Sequence, residues 1–338
     1  MAQRHKIAIS TISMGWHDSH GLDDKLQAIA TRGFEGLELF WTDLEKDANT
    51  RKLAVEENAR RVRSKCDELR LEICSLSSFD DYEGNQGVAL DVRLEKARRW
   101  VAIARILRSD IIQIPANDDI SSLAASDDQC VEELRLLADT GVPTSSNEKT
   151  ITWAYEPMAW SARVFTWQAA LHTIRRVARP NLKLCLDTYH ILAKLWADCT
   201  VPSGILPVGQ QALEASMHDL PRMIRPDEIG FVQLSDAEKM SPPITIKELN
   251  SVGKHYSHYW CMWGRLFPFE EEQGAYLPMK EACNALLRDV GWHGWVSQEI
   301  FHRTMREEEP KPDEWARRGM ESWKKVEACI SADGSPKL

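Results

Sequence analysis

No two cysteines of this 338-residue chain stand in a C-x-x-C pair, although eight are present: Cys66, Cys74, Cys130, Cys185, Cys199, Cys261, Cys283 and Cys329. That excludes a zinc knuckle or a thioredoxin-type motif. Their apolar surroundings read as reduced, buried thiols, so a cytoplasmic protein is expected. Gly-rich phosphate loops are missing too. Neither G-x-G-x-x-G nor a Walker pattern occurs, and the stretch after the first strand pattern reads S-M-G-W-H-D. This argues against a doubly wound nucleotide-binding sheet. No run approaches the ~20 apolar residues of a membrane span. Positive charge is short: 42 Lys and Arg against 51 Asp and Glu leave a net charge of -9. Nucleic acid would therefore find no basic footprint. The opening MAQRHKIAIS has no apolar leader segment. The final S-P-K-L resembles the S-K-L peroxisomal address only faintly, and residues 333–338 are expected as a polar tail. Internal repeats and low-complexity linkers are also lacking.

What is present is alternation. Short apolar runs at Lys6–Ser13, Gly36–Phe40, Leu71–Ser77, Ile111–Pro115, Ile151–Glu156, Leu182–Asp187, Ile229–Ser235 and Gly294–Phe301 read as strands. Between them lie helical patterns over Leu22–Arg32, Thr50–Leu69, Leu90–Leu107, Val131–Thr140, Thr166–Ala178 and Lys280–Asp289, with a last one at Asp313–Ala332. Continuous apolar strands alternating with helices predict a parallel sheet covered on its outer face. Eight such units predict an α/β fold closed as a (β/α)8 TIM barrel, with an open sheet as the runner-up. A single barrel domain is expected, with a long aromatic loop insertion around residues 241–278.

Chemistry in such a barrel gathers at the C-terminal strand ends. There the sequence places Glu38, Gln113, Glu156, Asp187, Gln233 with Ser235 and Asp236, and Glu299. Glu156, Asp187, Gln233 and Glu299 fall on four neighbouring strands. Three converging carboxylates repel unless a cation neutralises them. An oxygen set of this kind suits a divalent ion, Mg²⁺ or Mn²⁺ before Co²⁺ or Zn²⁺. His190, three residues past Asp187, is the candidate acid/base group. His255 and His258 in the insertion are expected to pack the loop or touch substrate, and Cys185, placed out of phase with the site, to lie in the core.

The motifs G-L-E-L-F, Y-E-G, Y-E-P-M-A-W, C-L-D-T-Y-H, F-V-Q-L-S-D-A, G-R-L-F-P and Q-E-I-F-H-R are similar, in order and spacing, to those of the 3-dehydroshikimate dehydratases of quinate catabolism. These belong to the xylose isomerase-like barrels. The resemblance implies a metal held by Glu156, Asp187, Gln233 and Glu299. It also implies a lyase that converts 3-dehydroshikimate to protocatechuate and water through a metal-stabilised enolate. His190, with Glu38 and Lys239 behind it, is then expected to move protons. Gln113, Tyr82, Arg265, Arg303 and Trp260 are expected to contact a small cyclic polyol or ketone. Relatives that isomerise or epimerise ketoses supply the alternative. Two arginines of the family pattern are replaced, one by Asp80 and one by Met262, which predicts weaker recognition of a substrate carboxylate or a shift to another cyclic polyhydroxy ketone. Tryptophans near Trp260 and Trp263 are expected exposed, at a pocket or at a homo-oligomer contact.

Overall fold

The computed structural model describes residues 4–332. The polar tail expected at 333–338, with its S-P-K-L end, lies outside the described residues. Among them, eight parallel strands close a barrel: β1 Lys6–Ser10, β2 Gly36–Phe40, β3 Glu72–Ser77, β4 Ile111–Pro115, β5 Thr152–Glu156, β6 Leu182–Asp187, β7 Ile229–Leu234 and β8 Trp295–Gln298. Each pairs with the next, and β8 returns to β1. The TIM barrel expected from the alternation is the fold. No described helix is long and apolar enough to cross a membrane.

Strand periodicity explains the two kinds of core. Ile111, Ala154, Cys185 and Phe231, with Trp295 against them, form one cluster. Their neighbours Ile112, Tyr155, Leu186 and Val232 belong to the larger cluster shared with the helices. Successive side chains on a strand take opposite faces. The small cluster therefore fills the barrel, and the residues two positions further along each strand face the same way: Gln113, Glu156, Asp187 and Gln233. An apolar plug thus underlies a polar layer. Cys185 belongs to this face, in phase with Asp187 rather than out of phase, because the two stand two residues apart.

Helix starts follow cap chemistry. Ser126 accepts from the Gln129 N–H ahead of helix Asp127–Thr140, and Thr166 accepts from Ala169 ahead of Trp167–Val177. Several elements differ from the sequence expectation, among them the eighth strand, which ends at Gln298 rather than Phe301 and leaves Glu299 just beyond it. The first strand stops at Ser10 and becomes a short 3₁₀ turn, Thr11–Met14, before Gly15 at φ 98°. The expected helix Thr50–Leu69 is two, Trp41–Arg51 and Val55–Leu69, because Lys52 turns left-handed at φ 57°. The insertion is ordered rather than a loop. It carries helices Ile246–Val252 and Tyr256–Gly264, and Arg265–Leu266 pairs antiparallel with Asp236–Ala237. That ribbon pins the second helix across the barrel mouth.

Candidate active site

The floor of the site is a buried charge cluster. Glu156, Asp187 and Glu299 are each at most 4% exposed. Between them lies Arg265, 1% exposed, whose Nη2 donates to Asp187 Oδ2 at 2.5 Å and whose Nη1 donates to Glu299 Oε2 at 3.2 Å. Its remaining donors go to Ser235 Oγ, at 3.0 and 2.7 Å, and to Cys261 Sγ at 3.7 Å. Burial pushes the Glu156 carboxyl well above the ordinary range, and the charges of Asp187 and Glu299 push it further. Glu299 is raised well above its usual value by burial and by Glu38. One guanidinium does not balance three carboxylates.

His190 joins this floor. Its Nε2 lies 3.5 Å from Glu156 Oε1 and 3.8 Å from Asp187 Oδ2. Ligand atoms of Glu156, Asp187 and His190 lie within 4.8 Å of one another, the spacing of a metal-holding group. The imidazole tautomer, however, assigns His190 a different part. Nδ1 accepts the Ala159 N–H at 3.0 Å, so the ring proton resides on Nε2, which then has no lone pair for a metal. The carboxylates remain as donors. Glu156 Oε1 is buried without a hydrogen-bond partner, and its other oxygen accepts from Gln113 Nε2. A hard or borderline divalent cation fits this set, because it would meet the open oxygen and offset the excess negative charge.

Gln233 stands at the same level. Its Nε2 donates to Glu38 Oε1 at 2.9 Å, and its Oε1 receives the Cys185 thiol at 3.0 Å. Glu38, fully buried, also accepts from Ser77 at 2.5 Å, so it orients Gln233 from beneath the site.

Above the floor is a cavity of about 400 Å³. Gln113, Glu156, His190, Arg265 and Glu299 line its depth, and Asp80, Met262, Trp160 and His258 its walls. The cavity is within the size range of small-ligand sites. Trp160 stacks on His258 at 4.5 Å and meets His190 edge-on at 4.7 Å. The insertion helix thus supplies one wall. Both replaced arginine positions, Asp80 and Met262, face this space. Trp160 and Asp118 stand off the strand ends, on the loops that follow β5 and β4. The signal for Trp160 is its place four residues after Glu156, on the loop leaving β5.

Other sequence candidates lie elsewhere. Tyr82 is buried and donates to the Glu133 carbonyl at 2.9 Å. It locks the loop after β3, where Glu133 also pairs with Arg93 at 2.8 Å. Arg303 pairs with Glu238, which Arg303 and His302 hold down to about 2 against the opposing effect of burial. Trp260 is fully buried rather than exposed, with Nε1 donating to the Glu238 carbonyl at 3.0 Å. Its ring packs on Tyr189 and Tyr276 because the ribbon draws the insertion inward. Trp263 is 37% exposed. Lys239 is exposed and lines no part of the cavity. Asp236 accepts backbone N–H groups from Ala237, Phe269, Tyr276 and Leu277, and so clamps the insertion. His255 accepts from Ser257 N–H as a helix cap.

Comparison with known proteins agrees with this architecture. The family model of the xylose isomerase-like TIM barrel matches residues 26–326. A 3-dehydroshikimate dehydratase of Neurospora crassa is 38% identical over 95% of this chain and 93% of its own length. One of Pseudomonas aeruginosa is 32% identical over 88% of this chain, which spans only 38% of that longer protein. The solved structure of the IOLI protein with a bound zinc atom superposes with a TM-score of 0.70 at 14% identity, covering 98% of this chain and all of that one. With most of its length matched by the family model and a relative of 38% identity along nearly all of it, the chain belongs to the xylose isomerase-like TIM barrel family.

Proposed function

We propose that this chain is a divalent-metal-dependent carbon–oxygen lyase of the 3-dehydroshikimate dehydratase type, removing water from a cyclic hydroxy ketone. The observation that carries the reading is the approach of Glu156 and Asp187 to His190 Nε2, with Glu299 joined to Asp187 through Arg265, at the floor of a cavity. The 38% identity to the Neurospora crassa dehydratase supports it.

Glu156, Asp187 and Glu299 would hold the ion, with the Gln233 amide as the fourth donor and Mg²⁺ or Mn²⁺ suiting the oxygen set. Such an ion would supply Lewis acidity to the ring ketone and offset the charge that builds on its oxygen as the α-proton leaves. The chain's own groups do the rest. Burial holds the His190 imidazole neutral, well below its usual pKa. Fixed by Ala159, it presents Nε2–H to the departing hydroxyl as hydrogen-bond donor and proton source. Trp160 and Phe301 cover the ring and limit water in the cavity. The proton that His190 gives to the hydroxyl is replaced by the one taken from the ring carbon, so one proton and one hydroxide leave the ring as water and no oxidant is needed. With 3-dehydroshikimate, aromatisation to protocatechuate makes the step irreversible.

The test is to strip the protein with a chelator, restore single divalent ions, and follow the aromatic absorbance of product from 3-dehydroshikimate. A metal-dependent aromatic band supports the lyase. Interconversion of ketoses without an aromatic product would instead assign an epimerase.

A further inference from the structure

The groups lining the cavity are unequal in charge. Among the described residues that face it are the carboxylates of Asp80, Asp81, Asp118, Glu156 and Glu299, against one guanidinium, Arg265. Arg265 is committed: its nitrogens are bonded to Asp187, Glu299 and Ser235. Of the two imidazoles, His190 spends its Nδ1 lone pair on the Ala159 N–H, and His258 is held below its usual pKa by burial. Even a divalent ion on the floor leaves the acidic wall uncompensated.

The hydrogen-bonding groups are unequal in the same sense. The Trp160 Nε1–H is spent on Asp118 at 3.1 Å, the Asn117 amide on the Glu83 carbonyl at 2.8 Å, and the Ser78 hydroxyl on Asp80. Acceptors remain open. Gln113, 3% exposed, directs its nitrogen to Glu156, and its Oε1 has no partner. The Asp80 carboxylate receives only Ser78. Apart from His190 Nε2–H on the floor, the lining is poor in free donors and rich in acceptors, which matches hydroxyl groups. It mismatches a carboxylate, which needs donors and positive charge.

Resting on the proposed dehydratase site, we propose that this cavity selects an uncharged polyhydroxy ring ketone over a ring bearing a carboxylate, with Asp80 as the specificity-determining residue. Lys96 is the nearest cation to Asp80. Its Nζ donates to the Asp80 main-chain carbonyl at 3.3 Å, lies over the Phe79 ring, and lines the adjoining hollow rather than this cavity.

Catechol and protocatechuate differ only by the carboxylate, and titration calorimetry on the Mg²⁺-loaded full chain compares them without turnover. The inference predicts catechol bound at least about tenfold more tightly in low salt, with added salt narrowing the gap. Asp80→Asn should narrow it further by improving protocatechuate alone. Tighter binding of protocatechuate by the wild type, or an unchanged gap in Asp80→Asn, overturns the inference. So does selective loss of protocatechuate binding in Lys96→Met, which would seat the carboxylate on Lys96. Turnover of 3-dehydroshikimate in the same preparations tests the dehydratase reading separately. Turnover with protocatechuate preferred keeps the lyase and sinks the selectivity. Catechol preferred, with turnover of neither 3-dehydroshikimate nor its uncharged analogue 5,6-dihydroxycyclohex-2-enone, keeps the selectivity and sinks the lyase.

Discussion

Arg265 donates from Nη2 to Asp187 at 2.5 Å and from Nη1 to Glu299 at 3.2 Å, so one buried guanidinium couples the ends of β6 and β8. It stands on the short ribbon that anchors the insertion, and its charge is part of what makes three buried carboxylates tolerable. Removing it should expose how the rest are neutralised.

Arg265→Met is expected to cost ~3–5 kcal/mol in chelated protein, because two buried carboxylates lose their partner. A saturating divalent ion should restore part of that loss, since it supplies charge to the same oxygens. Urea unfolding with chelator and with Mn²⁺ measures both values. Equal losses in the two conditions would mean that no ion sits among these groups.

His190→Asn keeps an acceptor for the Ala159 N–H but loses Nε2–H. With His190 as proton donor, kcat should fall roughly 10²–10⁴-fold while bound metal stays at wild-type stoichiometry. Loss of the metal along with activity would make the imidazole a ligand.

Glu83, outside the proposed ligand set, carries a pH signature. Its carboxyl accepts from the Asn117 N–H and the Tyr155 hydroxyl, both at 2.8 Å, tying the loops after β3 and β4 together. Burial pushes it from 4.5 up to about 7. Between those values the folded chain keeps a proton that the unfolded chain has lost. Its contribution to stability is therefore complete below the unfolded value and is lost as pH rises through about 7. Asp236, pushed by burial to about 7, acts in the same direction. Glu83→Gln should shrink the stability difference between pH 5 and pH 8 by ~1–3 kcal/mol, measured by urea unfolding with chelator present. An unaltered pH difference would show that Glu83 ionises freely in the fold.

Strand ends were the legible part of this site. T-W-A-Y-E and L-K-L-C-L-D are apolar runs closed by an acid, and period-two spacing brings Glu156 and Asp187 to the same face as Ala154 and Cys185. What lies off the strands obeys no such period. Lys52 adopts a left-handed turn that Lys rarely takes, so the break it makes in the expected helix carries no sequence signal. Tyr82 and Glu83 stand in a motif that invites a functional reading, yet their polar atoms serve Glu133, Asn117 and Tyr155 within the scaffold. Trp260 and Trp263 lie three residues apart on one helix, and only the ribbon beside them determines which is buried. Lys239 follows directly on Glu238, whose carboxylate is taken by Arg303, while its own side chain stays exposed.

Dehydration is expected to depend on an ion held by these carboxylates. Activity on 3-dehydroshikimate should be measured against bound metal in one titration of stripped protein, alongside Glu299→Ala. The account predicts product formation rising in proportion to metal until one ion per chain is bound, and neither tight metal nor product in Glu299→Ala. Undiminished product formation by the stripped protein, or by Glu299→Ala without metal, would contradict it.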